Sequence, residues 1–109
     1  RIASGSADKT IKIWDLKKVP EQDGYCTTLQ GHTHSVVSIT QLTDGRIASG
    51  SYDNTIKIWD LKKSPGEDGY CTTLQGHSGW VNSVTQLTDG RIASGSWDNT
   101  IKIWGATSD

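Results

Sequence analysis

Apolar and polar residues alternate along this chain in short runs. The run TIKIW begins at Thr10, Thr55 and Thr100. In an extended strand Ile11 and Ile13 fall on one face and Lys12 and Trp14 on the other. Apolar side chains therefore occur on both faces, which fits a stack of sheets better than a two-layer sandwich. In the middle of the chain the pattern predicts strands over residues 26–30, 36–42, 46–51 and 55–60, all rich in the Thr, Val, Ile and Trp that strands favour. Asp44-Gly45 and Asp89-Gly90 read as tight hairpin turns, where Gly supplies a positive φ. Asp53-Asn54 reads as another tight turn. The stretches 17–25 and 62–70 read as longer surface loops. No segment has a helical period. The fold class read from the pattern is all-β.

The runs recur. RIASGS begins at Arg1, Arg46 and Arg91, a spacing of 45 residues that TIKIW and GYCTTLQGH share. The chain holds about two and a half copies of this unit. The organisation expected is a half unit over 1–16, complete four-stranded units over 25–60 and 70–104, and a tail over 105–109. The chain has no Met and opens in mid-pattern, so it reads as an excerpt from a longer polypeptide.

Gly31-His32, Asp53 and Trp59-Asp60 stand in one copy, and Gly76-His77, Asp98 and Trp104 in the next. In order and spacing these resemble the WD-repeat β-propeller family. The resemblance implies blades of four antiparallel strands set around a ring, usually about 4–8 of them. It also implies a buried hydrogen-bond network in each blade: His32, Ser49, Asp53 and Trp59 in one, His77, Ser94, Asp98 and Trp104 in the other. Two departures stand out. Trp104 is followed by Gly105 rather than Asp, and the first copy has Ser4, Asp8 and Trp14 but no histidine partner. The strands run third and fourth, then first to fourth twice. Identical chains joined end to end would thus lack two strands at each junction, so further blades are expected from a longer parent chain or from other chains.

Formal charge is −1 and 33% of residues are hydrophobic, which gives no overall attraction to nucleic acid or anionic membranes. No apolar run reaches the roughly 20 residues of a membrane helix. Ser, His and Asp in one network raise the possibility of a hydrolase. The set recurs in each blade, its Ser would lie beneath Trp, and there is no Gly-x-Ser-x-Gly elbow, so no enzyme is expected. His32 and His34 could chelate a metal, but the third copy has Gly79 where His34 stands, and no metal site is expected. Nor is a cofactor, since the glycines sit in turns and strands rather than in a phosphate-binding loop. Lys17-Lys18 and Lys62-Lys63 share their loops with acidic residues and lack interleaved aromatics, so they read as solvated loops. Cys26 and Cys71 occupy equivalent places and read as free thiols, in a reducing and cytoplasmic setting.

Between residues 26–59 and 71–104 the copies differ at six positions: Thr33/Ser78, His34/Gly79, Ser35/Trp80, Val37/Asn82, Ile39/Val84 and Tyr52/Trp97. The sharp changes lie in or beside two loops, which in the family share one rim, the top face. The positions that the resemblance places there are Ser35, Val37 and Tyr52, then Trp80, Asn82 and Trp97, with Ala7 left from the first copy. Tyr and Trp are the residues most enriched in binding hot spots. The expected function is a scaffold that binds a protein or peptide ligand through this rim. The alternative is a self-assembling propeller fragment whose interactions are with copies of itself or the rest of its own propeller. Trp80 and Trp97 would then serve that interface or cover their own blade.

Overall fold

Short alternating runs broken by Asp-Gly and Asp-Asn turns can pair only with near neighbours, and they fold into antiparallel sheets. A computed structural model describes residues 2–14, 17–18, 22, 26–64 and 66–105. It contains ten strands: β1 Ile2–Gly5, β2 Thr10–Trp14, β3 Cys26–Gln30, β4 Val36–Gln41, β5 Ile47–Ser51, β6 Ile56–Trp59, β7 Cys71–Leu74, β8 Val81–Gln86, β9 Ile92–Ser96 and β10 Ile101–Trp104. The predicted strand ends agree to within one residue. Gly45 and Gly90 have φ of +94° and +92°, as their turns require. Arg1, Asp15, Leu16, most of the loop 17–25 and residues 106–109 of the expected tail lie outside the described residues.

Three open sheets result, in the orders β1-β2-β3, β4-β5-β6-β7 and β8-β9-β10. The sheet boundaries do not follow the repeat boundaries. Residues 26–30 were expected with the three strands after them; instead Cys26 pairs with Trp14 and Leu29 with Ile11, on the sheet before. Cys71 likewise pairs with Trp59. The reason is local. Between β3 and β4 the chain carries Gly31-His32, and His32 is bonded to Ser49 of β5. That bond carries the chain across to the next sheet, so β3 closes the outer edge of the sheet it leaves.

The sheets stack face to face. One core joins Ile11, Ile13 and Leu29 of the first sheet to Val36, Ile47 and Trp59 of the second. The next joins Ala48, Ile56 and Ile58 of the second to Val81, Val84 and Ile92 of the third. The middle sheet is therefore apolar on both faces, as its alternation required. Close approach depends on Gly. A Cβ on Gly50 would stand 2.7 Å from Val81 Cγ1 and 2.8 Å from Val84 Cγ2, and one on Gly5 would stand 2.8 Å from Val36 Cγ1. Gly95, the equivalent residue of the third sheet, would meet nothing nearer than 3.8 Å.

Gly50→Ala should therefore destabilise the chain by about 1–3 kcal/mol through overpacking. Gly95→Ala should be neutral or slightly stabilising, because only the unfolded chain is affected. Denaturant midpoints of the two variants check this, and equal midpoints would contradict the stacking geometry.

Candidate functional site

Two constellations share one end of the stack: a buried network that fixes two loops, and a set of rim residues displayed on those loops. The network begins with a group that can only donate. Trp59 Nε1–H donates to Ser49 Oγ at 2.9 Å. Ser49 Oγ lies 2.7 Å from His32 Nε2, and His32 Nδ1 lies 2.8 Å from Asp53 Oδ2. These distances suit a neutral imidazole that accepts from the serine hydroxyl at Nε2 and donates to the carboxylate from Nδ1. A protonated ring would make Ser49 turn its own proton to Lys57 O, 3.4 Å away, a poor bond. Burial likewise holds the His32 pKa below its usual value, against the hydrogen bond and charge of Asp53 that would raise it.

Asp53 gathers further donors. Its Oδ2 also accepts from Thr33 N–H at 3.0 Å, and its Oδ1 from Thr55 N–H at 2.9 Å and the Thr55 hydroxyl at 2.5 Å. Burial alone would raise its pKa, but the bonds from the Thr55 hydroxyl, His32 and Thr33 outweigh it and leave the carboxyl below the usual range. The third sheet repeats the arrangement with Trp104, Ser94, His77 and Asp98 at 2.8, 2.7 and 2.9 Å. Asp98 is likewise held below the usual range, chiefly by the Thr100 hydroxyl. In the first sheet Trp14 Nε1 reaches Ser4 Oγ at 3.4 Å and Asp8 accepts from Thr10. No imidazole stands between them among the described residues. The glycine of each Gly-His pair has a packing reason: a Cβ on Gly31 would lie 3.0 Å from Trp59 Cη2.

The residues expected on the rim lie in and beside the loops that carry His32, Asp53, His77 and Asp98. Tyr52 N–H donates to Ser35 O at 3.0 Å, and Trp97 N–H to Trp80 O at 2.9 Å. These bonds zip the two rim loops of each sheet, so residues far apart in sequence become neighbours. Trp80 and Trp97 pack against each other with centroids 4.6 Å apart at 35°. Tyr52, on the neighbouring sheet, stacks on Trp80 at 4.0 Å and 18°. The three rings form one continuous stack across two sheets. Trp97 remains 62% exposed. A Cβ on Gly79 would press on Asp98 N at 2.8 Å.

The remaining rim positions are displayed by other means. Val37 and Asn82 fall where the pairing of β4 with β5 and of β8 with β9 shifts register. Such a bulge lifts one residue out of the ladder. Both are exposed, while Val36 and Val81 beside them are buried. The broken alternation at Val36-Val37 was the only sequence signal of the bulge. Ala7 is exposed in the β1–β2 turn, beside Ser6, whose carbonyl accepts Val36 N–H at 3.0 Å. The Tyr52–Trp80 stack between sheets had no signal at all.

Asp53→Ala would strand the buried His32 N–H, at about 1–3 kcal/mol for an unsatisfied buried group, and would also remove the acceptor of the Thr33 and Thr55 N–H groups. It should therefore lower the melting temperature clearly, and Asp8→Ala should lower it much less. Equal losses would refute the network. The pH dependence has a definite sign. His32 takes up its proton near pH 6.5 when unfolded and only at lower pH when folded. Its contribution is thus complete above that value and declines as pH falls through it. The Asp53 contribution is present above its unfolded value of 3.8 and is lost below it. Melting temperature should fall in two stages on acidification, which calorimetry across that range would read.

The whole arrangement matches known proteins. Residues 1–15, 24–60 and 69–105 match the model of the WD40 family, described as WD domain, G-beta repeat. No curated protein matches the chain. Among solved structures the chain is similar to the crystal structure of the WD40 beta propeller domain of Doa1, at 28% identity and a TM-score of 0.78. The match covers 97% of this chain and 33% of that one, so this chain spans about a third of its length. With the family model across most of its length and the blade network in its sheets, the chain belongs to the WD40-repeat β-propeller family.

Proposed function

We propose that this chain is a protein- or peptide-binding module whose partner contacts the rim through the Tyr52–Trp80–Trp97 stack. Propellers of the family generally serve as protein-interaction scaffolds. The observation that carries the reading is the exposure of Trp97, 62% open at the end of a stack held rigid by backbone bonds from below. A preorganised aromatic surface offers a large contact area at low entropic cost. Ser35, Val37, Asn82 and Ala7 are, in this reading, the further rim positions that set specificity. The sharpest changes between copies fall on or beside these positions, while the Trp, Ser, His and Asp of the buried network are unchanged.

The Ser-His-Asp sets are structural in this reading. Ser49 is 0% exposed and accepts the indole N–H, so no substrate carbonyl reaches it. Both His32 nitrogens are occupied, which leaves no lone pair for a metal. The partner is neither nucleic acid nor a membrane, in keeping with the mixed charges of the lysine loops. A cytoplasmic setting belongs to the same reading, supported by the free thiols of Cys26 and Cys71.

A second reading has its own observation. Ile101 and Ile103 are 76% and 48% exposed, although their counterparts Ile56 and Ile58 are 0% and 2%. In this reading they are covered either by copies of this chain that self-assemble or by the rest of its own propeller.

Selection of a random peptide display library on the chain tests the rim. Enriched peptides should lose at least tenfold in affinity to Trp97→Ser, in a chain that still unfolds in one cooperative transition. Affinity unchanged in both Trp97→Ser and Trp80→Ser would overturn the rim assignment.

A further inference from the structure

The chain contains four Asp-Gly pairs. Asp44-Gly45, Asp68-Gly69 and Asp89-Gly90 fall among the described residues, and Asp23-Gly24 lies outside them. Such a pair carries a latent reaction. The glycine amide nitrogen can attack the aspartate Cγ and close a five-membered ring, because glycine has no Cβ to obstruct the approach. Three conditions favour the attack. The carboxyl must be free to swing onto the main chain, the amide N–H must not be committed elsewhere, and the charge left as the amide loses its proton must be stabilised.

The three described pairs share a backbone conformation and differ in bonding. Gly45, Gly69 and Gly90 have φ of +94°, +83° and +92°. Gly45 N–H donates to Leu42 O and Gly90 N–H to Leu87 O, both at 2.9 Å. Asp44 Oδ1 accepts from Arg46 N–H at 3.0 Å and Oδ2 from Arg46 Nε at 2.7 Å. Arg91 holds Asp89 in the same way, at 3.1 and 2.7 Å. In both turns the nucleophile and the electrophile are fastened to other partners. Asp68-Gly69 has neither restraint. Among the described residues no hydrogen bond or ion pair holds the Asp68 carboxylate, and none engages the Gly69 N–H. Both residues are exposed.

The bond that this pair does make acts in the opposite sense. Lys63 Nζ donates to Asp68 O at 2.9 Å, and that carbonyl belongs to the same peptide unit as the Gly69 nitrogen. As the nitrogen gives up its proton, negative charge passes by amide resonance to that oxygen. There the ammonium stabilises it through a charge-assisted bond. Glycine also makes room for the ammonium, since a Cβ on Gly69 would stand 2.7 Å from Lys63 Nζ.

We propose that Asp68-Gly69 is a site of spontaneous isoaspartate formation, promoted by Lys63. Gly69 N bonds to Asp68 Cγ, a carboxyl C–O bond breaks, and the amide proton leaves with the carboxyl OH as water. A second water then opens the succinimide. Its attack at the Asp68 main-chain carbonyl carbon breaks the bond from that carbon to Gly69 N, and the chain thereafter runs through Cγ. The product has one extra methylene in its main chain and a free α-carboxylate. Tyr70 follows directly. Its carbonyl accepts Asp60 N–H at 2.9 Å, and its ring packs edge-on against Trp59 at 6.0 Å, so the change bears on the cover of the buried indole. The site lies at the far end of β6 from the Asp53-Asn54 turn and is independent of the rim.

Prolonged incubation of the intact chain at neutral pH, followed by peptide mapping with chromatographic separation of the isomers, reads the reaction. Isoaspartate should accumulate at Asp68 at least tenfold faster than at Asp44 and Asp89. In concentrated urea the three rates should converge, because the difference lies in bonds of the folded chain. Lys63→Gln should slow the reaction at Asp68 about fivefold, as loss of one hydrogen bond predicts. Lys63→Arg should retain most of the rate, and neither variant should alter Asp44 or Asp89. A folded-state rate at Asp68 no greater than at the other two would overturn the proposal. So would a tenfold excess that survives in urea, or a rate indifferent to Lys63→Gln.

Discussion

Each sheet of this protein is apolar on both faces, and that constraint governs everything else. A strand such as Thr10–Trp14 places isoleucines on one side and a tryptophan on the other, so no sheet is stable until a neighbour covers each side. The cover must also come close. Gly5 and Gly50 leave room for Val36 and Val81 of the next sheet, at distances where any Cβ would collide. The sheets are interlocked at these points, not merely laid together. Stability in such a stack is a sum of sheet and interface terms, and the innermost strand of each following sheet contributes much of the interface.

The connection between sheets determines which strand goes where. After β3 the chain could turn back as a hairpin. The His32 imidazole instead bonds to Ser49 and Asp53 of the following sheet, which commits the chain to cross. Each histidine network is therefore a joint between sheets as well as a feature of one. Its neutral imidazole links an obligate donor, Trp59, to an acceptor surrounded by donors, Asp53. No buried side-chain polar atom among the described residues lacks a partner.

The same joint prepares the rim. Asp53 N–H and Asp98 N–H bond to Ser51 and Ser96, whose hydroxyls bond in turn to the carbonyls of Ser35 and Gly79. The residue before each aspartate is thereby held on a turn fixed from beneath. Tyr52 and Trp97 occupy those places and converge with Trp80. A constant interior can thus present a variable surface, because the display positions carry none of the network's hydrogen-bonding side chains.

Strand positions, turns and the apolar character of both faces were legible in the sequence, because alternation and Asp-Gly or Asp-Asn turns are local properties. The members of the histidine network were legible only through the family resemblance, since nothing in the spacing of His32 and Asp53 states that they touch. Three matters were decided by tertiary structure. The first is the sheet that residues 26–30 join, because either neighbour offers a strand edge and a bond from His32 to the next sheet breaks the tie. The second is the convergence of Tyr52 with Trp80, which belong to different repeats and meet only once two sheets are stacked. The third is the exposure of Ile101 and Ile103. Their sequence is that of the buried Ile56 and Ile58, letter for letter, and burial depends not on a residue's identity but on which sheet lies opposite it.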